Sequence, residues 1–449
     1  MSEFVTSFSR LAFAIACWLL LVDMRAASAS DQLEVEFREM GVELAFKTHA
    51  NGERVGYVFF ERQEVSRELL ARVCRIPHLG YLTFSHGNVE STSLIELSNA
   101  VDLRYLAINS NGLEFYRSSH IPRLPKLEEL LIDEYVLFDD ADKLREKWPR
   151  LRSLSLWCDG DESARLETIV RQFPALSEIM LDHAVLTNAE TARLAELSQL
   201  RSVRFRDCRV SPGAISQLAR LQNLRSLTLN HSDVSEADLK TLQGLKKLKQ
   251  FDLSSSTRLN ATVVTQWPIL EVLRIYGSGV TDDSLRSLAR MPRLKDLQIN
   301  GAQLTPEGVL ALNDSSVETL SFSFGVPLTD GGTVALCTPP HVRELRVDFA
   351  QNVKGPVRLS SLSFEKMPHL RILNVESVNL EAGHLRSLRQ CELSELKCSF
   401  QSLDDEVCSL LLALPYLESL QIHVPSRHAD GECAKRLRSA LPFVKINQL

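Results

Sequence analysis

Trp267-Pro-Ile-Leu-Glu-Val-Leu-Arg-Ile-Tyr-Gly-Ser-Gly-Val-Thr-Asp-Asp-Ser-Leu-Arg-Ser-Leu-Ala289 decides the architecture of this chain. Leu270, Leu273 and Ile275 are apolar at a fixed spacing. The residues between and beside Leu273 and Ile275 alternate to the opposite face, which predicts a short strand. Ser278 and Val280 close the strand segment. Thr281 then offers a hydroxyl to cap a helix. Asp282 and Asp283 put negative charge where a helix N-terminus favours it. Leu285 and Leu288 share one helical face. Met291-Pro292 ends the helix, because a residue before proline is pushed out of the α region.

The same phase runs along most of the chain. The first leucine-type position recurs at Leu79, Leu103, Leu127, Leu151, Leu176, Leu200, Leu224, Leu248, Leu270, Leu294, Val317, Val342, Leu370, Leu393 and Leu417. Most steps are 24 residues; Leu248 to Leu270 is 22 and Val342 to Leu370 is 28. A proline two places earlier recurs at Pro77, Pro125, Pro149, Pro174, Pro268, Pro292, Pro340, Pro368, Pro415 and Pro442, ten of the 17 in the chain, which chance does not give. A hydroxyl recurs at the helix-cap position as Thr187, Ser211, Ser235, Thr281, Thr305 and Thr329, and Pro212 and Pro306 fall at the first helical position, where proline is tolerated. The apolar side chains of one such unit do not offset the entropy of ordering its two dozen residues. Neighbouring units must therefore stack into one continuous core.

Length alone would divide 449 residues into two or three domains, but the repeat overrides that prior from about residue 76 onward. Hydrophobic content of 44% and charged content of 24% are ordinary for a globular chain. A net charge of -6 and the absence of a basic stripe weigh against nucleic acid as a partner. Arg10, the apolar run Leu11 to Val22 and the small residues Ala27-Ser-Ala29 have the form of a secretory signal peptide over residues 1–29. The run is short for a bilayer span, and an uncleaved anchor at residues 11–22 is the alternative to release. Export is the expected localisation. Residues 30–75 do not follow the repeat. Asn51-Gly52 between two strand-like runs predicts a hairpin, and a helix follows from about Ser66 to Arg75. Together they read as an N-terminal cap on a solenoid spanning residues 76–449, about fifteen repeats ending in a truncated strand after Leu441. An insertion near Lys354-Gly-Pro is expected to bulge outward, and Ser118-Ser-His-Ile-Pro to replace a helix with an irregular connector.

These residues resemble the leucine-rich-repeat family. Val280-Thr-Asp-Asp-Ser-Leu285 is similar to the ribonuclease-inhibitor-like subtype, and Gly41-Val-Glu-Leu, Asn51-Gly52 and Leu441-Pro-Phe-Val-Lys-Ile resemble exported bacterial, planctomycete-type members. The resemblance implies an α/β leucine-rich-repeat solenoid, with a curved parallel sheet on its concave side and helices and irregular arcs on its convex side. It implies protein–protein binding on that sheet and no shared active site.

Apart from Cys17, the cysteines are Cys74, Cys158, Cys208, Cys337, Cys391, Cys398, Cys408 and Cys433, scattered singly and expected to be buried and unpaired. Cys391, Cys398 and Cys408 fall in one repeat, where pairing is the open alternative. No H-E-x-x-H, G-x-S-x-G, phosphate-binding glycine loop or zinc-type cysteine pair occurs. No catalytic, cofactor or metal site is therefore expected. The acidic clusters Asp139-Asp140, Asp282-Asp283 and Asp404-Asp405-Glu406 are expected to serve helix starts. Trp148 and Trp267 are expected in the core, and His231, His341, His369 and His423 are not expected to cluster. On the predicted sheet face, residues of equal phase line up in rows. Glu129, Asp133, Trp157, Glu178, Asp182, Arg204 and Arg206 are the candidate partner-binding residues, with Asp133, Trp157, Asp182 and Arg206 in one row and Trp157 exposed. Ser153, Met180, Tyr81, Tyr105 and Tyr276 share the face. The partner is expected to be an unidentified protein or peptide. An enzyme or carbohydrate-binding protein with a site assembled across repeats, using acids such as Asp133 and Asp182, remains the alternative.

Overall fold

The repeat folds as its pattern requires. Val272–Tyr276 is a strand with alternating burial, and Asp282–Leu288 is a helix. The Thr281 hydroxyl oxygen accepts from the Ser284 amide at 3.4 Å, and Leu285 and Leu288 are buried beneath it. The computed structural model describes residues 32–85, 88–109, 116–133, 136–158, 163–230, 234–254, 261–276, 280–302, 304–324, 333–334, 337–349, 357–359, 364–429 and 431–448. The run at residues 11–22, Thr329 and the insertion at Lys354 lie outside them. Among the described residues no helix is long and apolar enough to cross a membrane. The chain divides into two compact units, residues 1–209 and 210–449.

In the first unit, the helix Gln32–Glu39 precedes an antiparallel hairpin of Glu43–Thr48 and Arg54–Glu61. Its turn uses Gly52 at φ 82°, a left-handed conformation that a side chain resists. Asn51 Oδ1 accepts from the Glu53 amide at 3.1 Å. The helix Arg67–Val73 follows, capped by Ser66. The second hairpin strand pairs in parallel with Leu79–Ser85. The parallel ladder then runs through Tyr105–Asn109, Glu129–Ile132, Ser153–Trp157, Glu178–Asp182 and Ser202–Arg206. Each strand contributes two core residues in register. Leu82, Leu106, Leu130, Leu154, Ile179 and Val203 form one buried file; Phe84, Ile108, Ile132, Leu156, Leu181 and Phe205 form the next.

The second unit repeats this arrangement. Leu227, Phe251, Leu273, Leu297, Leu320, Leu345, Leu373, Leu396 and Leu420 lie in one file under successive parallel strands. None is more than 1% exposed. The last strand, Phe443–Gln448, pairs with Ser419–Val424.

The connectors tie neighbouring repeats together. Trp148 and Trp267 are each 1% exposed, and their indole N–H groups donate to the carbonyls of Pro122 and Leu242, each at 3.2 Å. Thr187, Ser235 and Thr305 cap helices as expected, and Pro306 opens one. Ser211 and Pro212 do not: that connector is a 3-10 turn, Ala214–Arg220, entered through Gly213 at φ 80°. The Gly213 amide donates to Asp238 Oδ1 of the next repeat at 3.0 Å. The acids also serve more than their own helices. Asp404 caps its helix, accepting from the Val407 amide at 2.9 Å. Asp282 accepts from the amide and hydroxyl of Thr305 at 3.0 and 2.8 Å. Its carboxylate stands where a Cβ at Gly308 would be, so any side chain there would have to displace Asp282 from Thr305. Asp139 accepts from the Ser119 amide and hydroxyl, and Asp140 pairs with Lys147 at 2.7 Å. Neither makes the helix cap expected of it: their oxygens accept instead from Ser118 and Ser119 of the preceding repeat's connector and from Lys147.

All eight cysteines of the described residues are buried and unpaired, so no bridge joins Cys391, Cys398 and Cys408. Burial pushes the thiols of Cys74, Cys208 and Cys337 up to about 12. The native protein should therefore react slowly with a thiol reagent at neutral pH, and denaturant should release eight thiols from these positions; a lower count would mean a bridge. Truncating Leu273→Ala opens a cavity between Phe251 and Leu297. It should cost about 2–5 kcal/mol, read from the urea midpoint at unchanged m.

Candidate partner-binding face

On the open face of the first unit, the alternation that buries Leu154 and Leu156 turns Ser153, Ser155 and Trp157 outward. Ladder register aligns Ser153 with Glu129 and Glu178, Ser155 with Leu131 and Met180, and Trp157 with Asp182, which in turn aligns with Arg206. Asp133 follows Ile132 and extends the row beside Trp157. The expected row Asp133, Trp157, Asp182, Arg206 is thus assembled, and Glu129, Glu178 and Arg204 share its face.

The row is largely self-satisfied. Arg206 Nε donates to Asp182 Oδ2 at 2.6 Å, and its Nη2 bonds the same oxygen and lies 3.7 Å from Asp133 Oδ1. Asp182 is 3% exposed, so it holds Arg206 and offers no surface acid. Its other oxygen accepts from His183 Nδ1 at 2.8 Å. Burial alone would raise the Asp182 carboxyl. The hydrogen bonds from His183 and Arg206 outweigh it and hold the group below the ordinary carboxylate range. The bond to Asp182 raises His183 against the opposing effect of burial. Trp157 is half-buried, not exposed, because its ring leans on the His183 imidazole with centroids 5.3 Å apart. Glu129, Glu178 and Arg204 are exposed, and among the described residues they form no ion pair.

Sequence reasoning missed His183 and Asp207. They stand one residue past successive strands, 24 apart, at positive φ of 61° and 52°, a conformation disfavoured for side-chain-bearing residues. Their shared phase was the available signal. Ligand atoms of Asp182, His183 and Asp207 all lie within 4.8 Å of one another. The Asp182 oxygens are taken up by His183 and Arg206, so the cluster is accounted for as an ion-pair network.

Upstream, Tyr57, Tyr81 and Tyr105 stack on the same face with centroid separations of 4.3 and 5.6 Å. Burial, with the neighbouring Tyr81, pushes the Tyr57 hydroxyl up to about 12. In the second unit, Arg274 bridges Asp252 and Asp296 at 3.5 and 2.8 Å, and Tyr276 donates to Gln298. His341 and His369, expected apart, line one depression of about 310 Å³ with Lys295, Arg343 and Glu318. The 28-residue step brings them side by side. His423 lies elsewhere, beside Asn447, and His231 is outside the described residues.

Each unit has the leucine-rich-repeat fold. The chain's own period and its parallel register establish this. No protein-family model matches the chain, and no curated protein matches it. Among solved structures it is similar to a leucine-rich-repeat protein of Leptospira interrogans at 19% identity, over 85% of this chain and 91% of that one, with a TM-score of 0.45. It is also similar to an internalin of Listeria monocytogenes at 16% identity, over 87% and 86% of the two chains, with a TM-score of 0.36.

His183 supplies a pH test. Its raised folded value means that its contribution is full below the ordinary imidazole pKa, about 6.5, and fades as pH rises through the folded value. The Tm deficit of His183→Asn, a residue tolerated at positive φ, should be largest near pH 5 and shrink toward pH 9. A deficit independent of pH would rule out the charged pair.

Proposed function

We propose that the chain is an exported, non-enzymatic scaffold that binds a protein or peptide on the sheet face of its first unit. The observation that carries this is an apolar centre with a polar rim. Leu131, Met180 and Trp157 are half-exposed together, and Glu129, Glu178 and Arg204 stand around them without ion-pair partners among the described residues. That composition, an aromatic anchor within charged residues, is typical of partner-binding surfaces. Within the candidate set, Glu129, Trp157, Glu178 and Arg204 make the contact, and Asp133, Asp182 and Arg206 fix the row that supports it. An open face gives little of the desolvation that acid–base catalysis needs, which favours binding over the enzymatic alternative.

We also read residues 1–29 as a signal peptide, residues 30–75 as the cap and residues 76–449 as the repeat array. The hairpin supports the cap: its second strand pairs with Leu79–Ser85 and keeps that edge from solvent.

Trp157→Ala with Arg204→Glu leaves the Asp182–Arg206 pair intact and removes the contact. Recovery of the partner from the native exported fraction should fall, with affinity reduced about 30-fold or more if Trp157 is a hot spot. Undiminished recovery would exclude this face.

A further inference from the structure

At Ser153 and Ser155 the strand Ser153–Trp157 carries smaller outward side chains than either adjacent strand at the same height. Ser153 and Ser155 are half-buried between four long side chains: Glu129 and Leu131 on one side, Glu178 and Met180 on the other. The result is a trough along the strand, its walls two strand spacings or roughly 9–10 Å apart. Its floor is hydroxymethyl groups and its middle is walled by Leu131 and Met180. One end is rimmed by two carboxylates, and the other is closed by Trp157.

Cationic partners along the trough are one-sided. Asp133 and Asp182 share Arg206 at the tryptophan end. At the opposite end, Glu129 and Glu178 have no cation among the described residues. Partial desolvation of its carboxyl, then repulsion from Glu178 and Glu128, raises Glu129 above the ordinary carboxylate value. Arg204 lies on the strand beyond Met180, and Tyr105 and Ser202 flank the two glutamates in their own row.

We infer that this trough takes the side chain of a lysine or arginine from an extended peptide. The cationic head sits between Glu129 and Glu178, the methylenes lie over Ser155 between Leu131 and Met180, and Trp157 faces the peptide main chain. The distance along the strand from Ser155 to Ser153, about 6.6 Å, suits the stem of such a residue, which buries its methylenes while keeping its charge at a polar rim. The inference rests on the reading of this face as partner-binding and names the chemistry of that partner.

A random heptapeptide library displayed on phage is panned against the full chain, and the selected peptides are synthesised and titrated by fluorescence anisotropy. Peptides whose binding depends on Trp157 and Arg204 should share one Lys or Arg. Replacing it with norleucine, or making Glu129→Gln with Glu178→Gln, should each weaken binding about tenfold or more. The two losses should not add, since each removes the same pair. Ser153→Leu fills the floor without changing charge and should weaken the basic peptide to a similar extent. The glutamine substitutions are exposed and isosteric and carry the test should Ser153→Leu misfold. Peptides that need Trp157 but contain no required basic residue would overturn the trough and leave the face standing. Unchanged affinity in the double glutamine variant would do the same. No peptide sensitive to Trp157 and Arg204 would remove both.

Discussion

Everything in this protein depends on lateral burial of leucine-type side chains that no single repeat can bury by itself. Leu273 is fully buried because Phe251 lies beneath one neighbouring strand and Leu297 beneath the other. An isolated unit would leave these flanks in water, and its ordering entropy would exceed its burial. Parallel register follows from the same constraint. A slip of one residue would turn every leucine to the open face and every polar residue to the core.

The connectors matter because stacking leaves polar groups at each junction. Indole N–H groups of Trp148 and Trp267, the Asp282 carboxylate and the Asp238 carboxylate each satisfy backbone or hydroxyl groups of an adjacent repeat. They set the spacing between repeats by direction, where apolar packing sets it only by volume. Acids at helix starts thus act across repeats as well as within them, and Asp282 occupies the flank that a side chain at Gly308 would need.

On the open face the same register that orders the core also orders chemistry. Charges of equal phase become neighbours and pair, as Asp182 does with Arg206 and Asp252 with Arg274, while Asp296 reaches Arg274 from the diagonal position. What stays uncompensated is informative for that reason. Glu129 and Glu178 flank a strand of serines, so neither has a facing cation, and Leu131 and Met180 remain half-exposed beside them.

The sequence by itself determined the strand positions, the two core files, the caps at Thr187, Ser235, Thr281 and Thr305, and the row of Asp133, Trp157, Asp182 and Arg206. All of these follow from periodicity, and periodicity is a one-dimensional property that stacking preserves. Only the tertiary structure decided which members of that row are buried. Trp157 leans on His183, and Asp182 withdraws into a pair with Arg206, because side-chain reach and left-handed backbone at His183 and Asp207 are set in three dimensions. The failure of Ser211 as a cap has the same origin, whereas His341 and His369 line one depression because each stands one residue before the leucine-type position of its repeat, a phase already present in the sequence. A residue's phase fixes its face, but its partner is fixed by what the neighbouring repeat presents at that height.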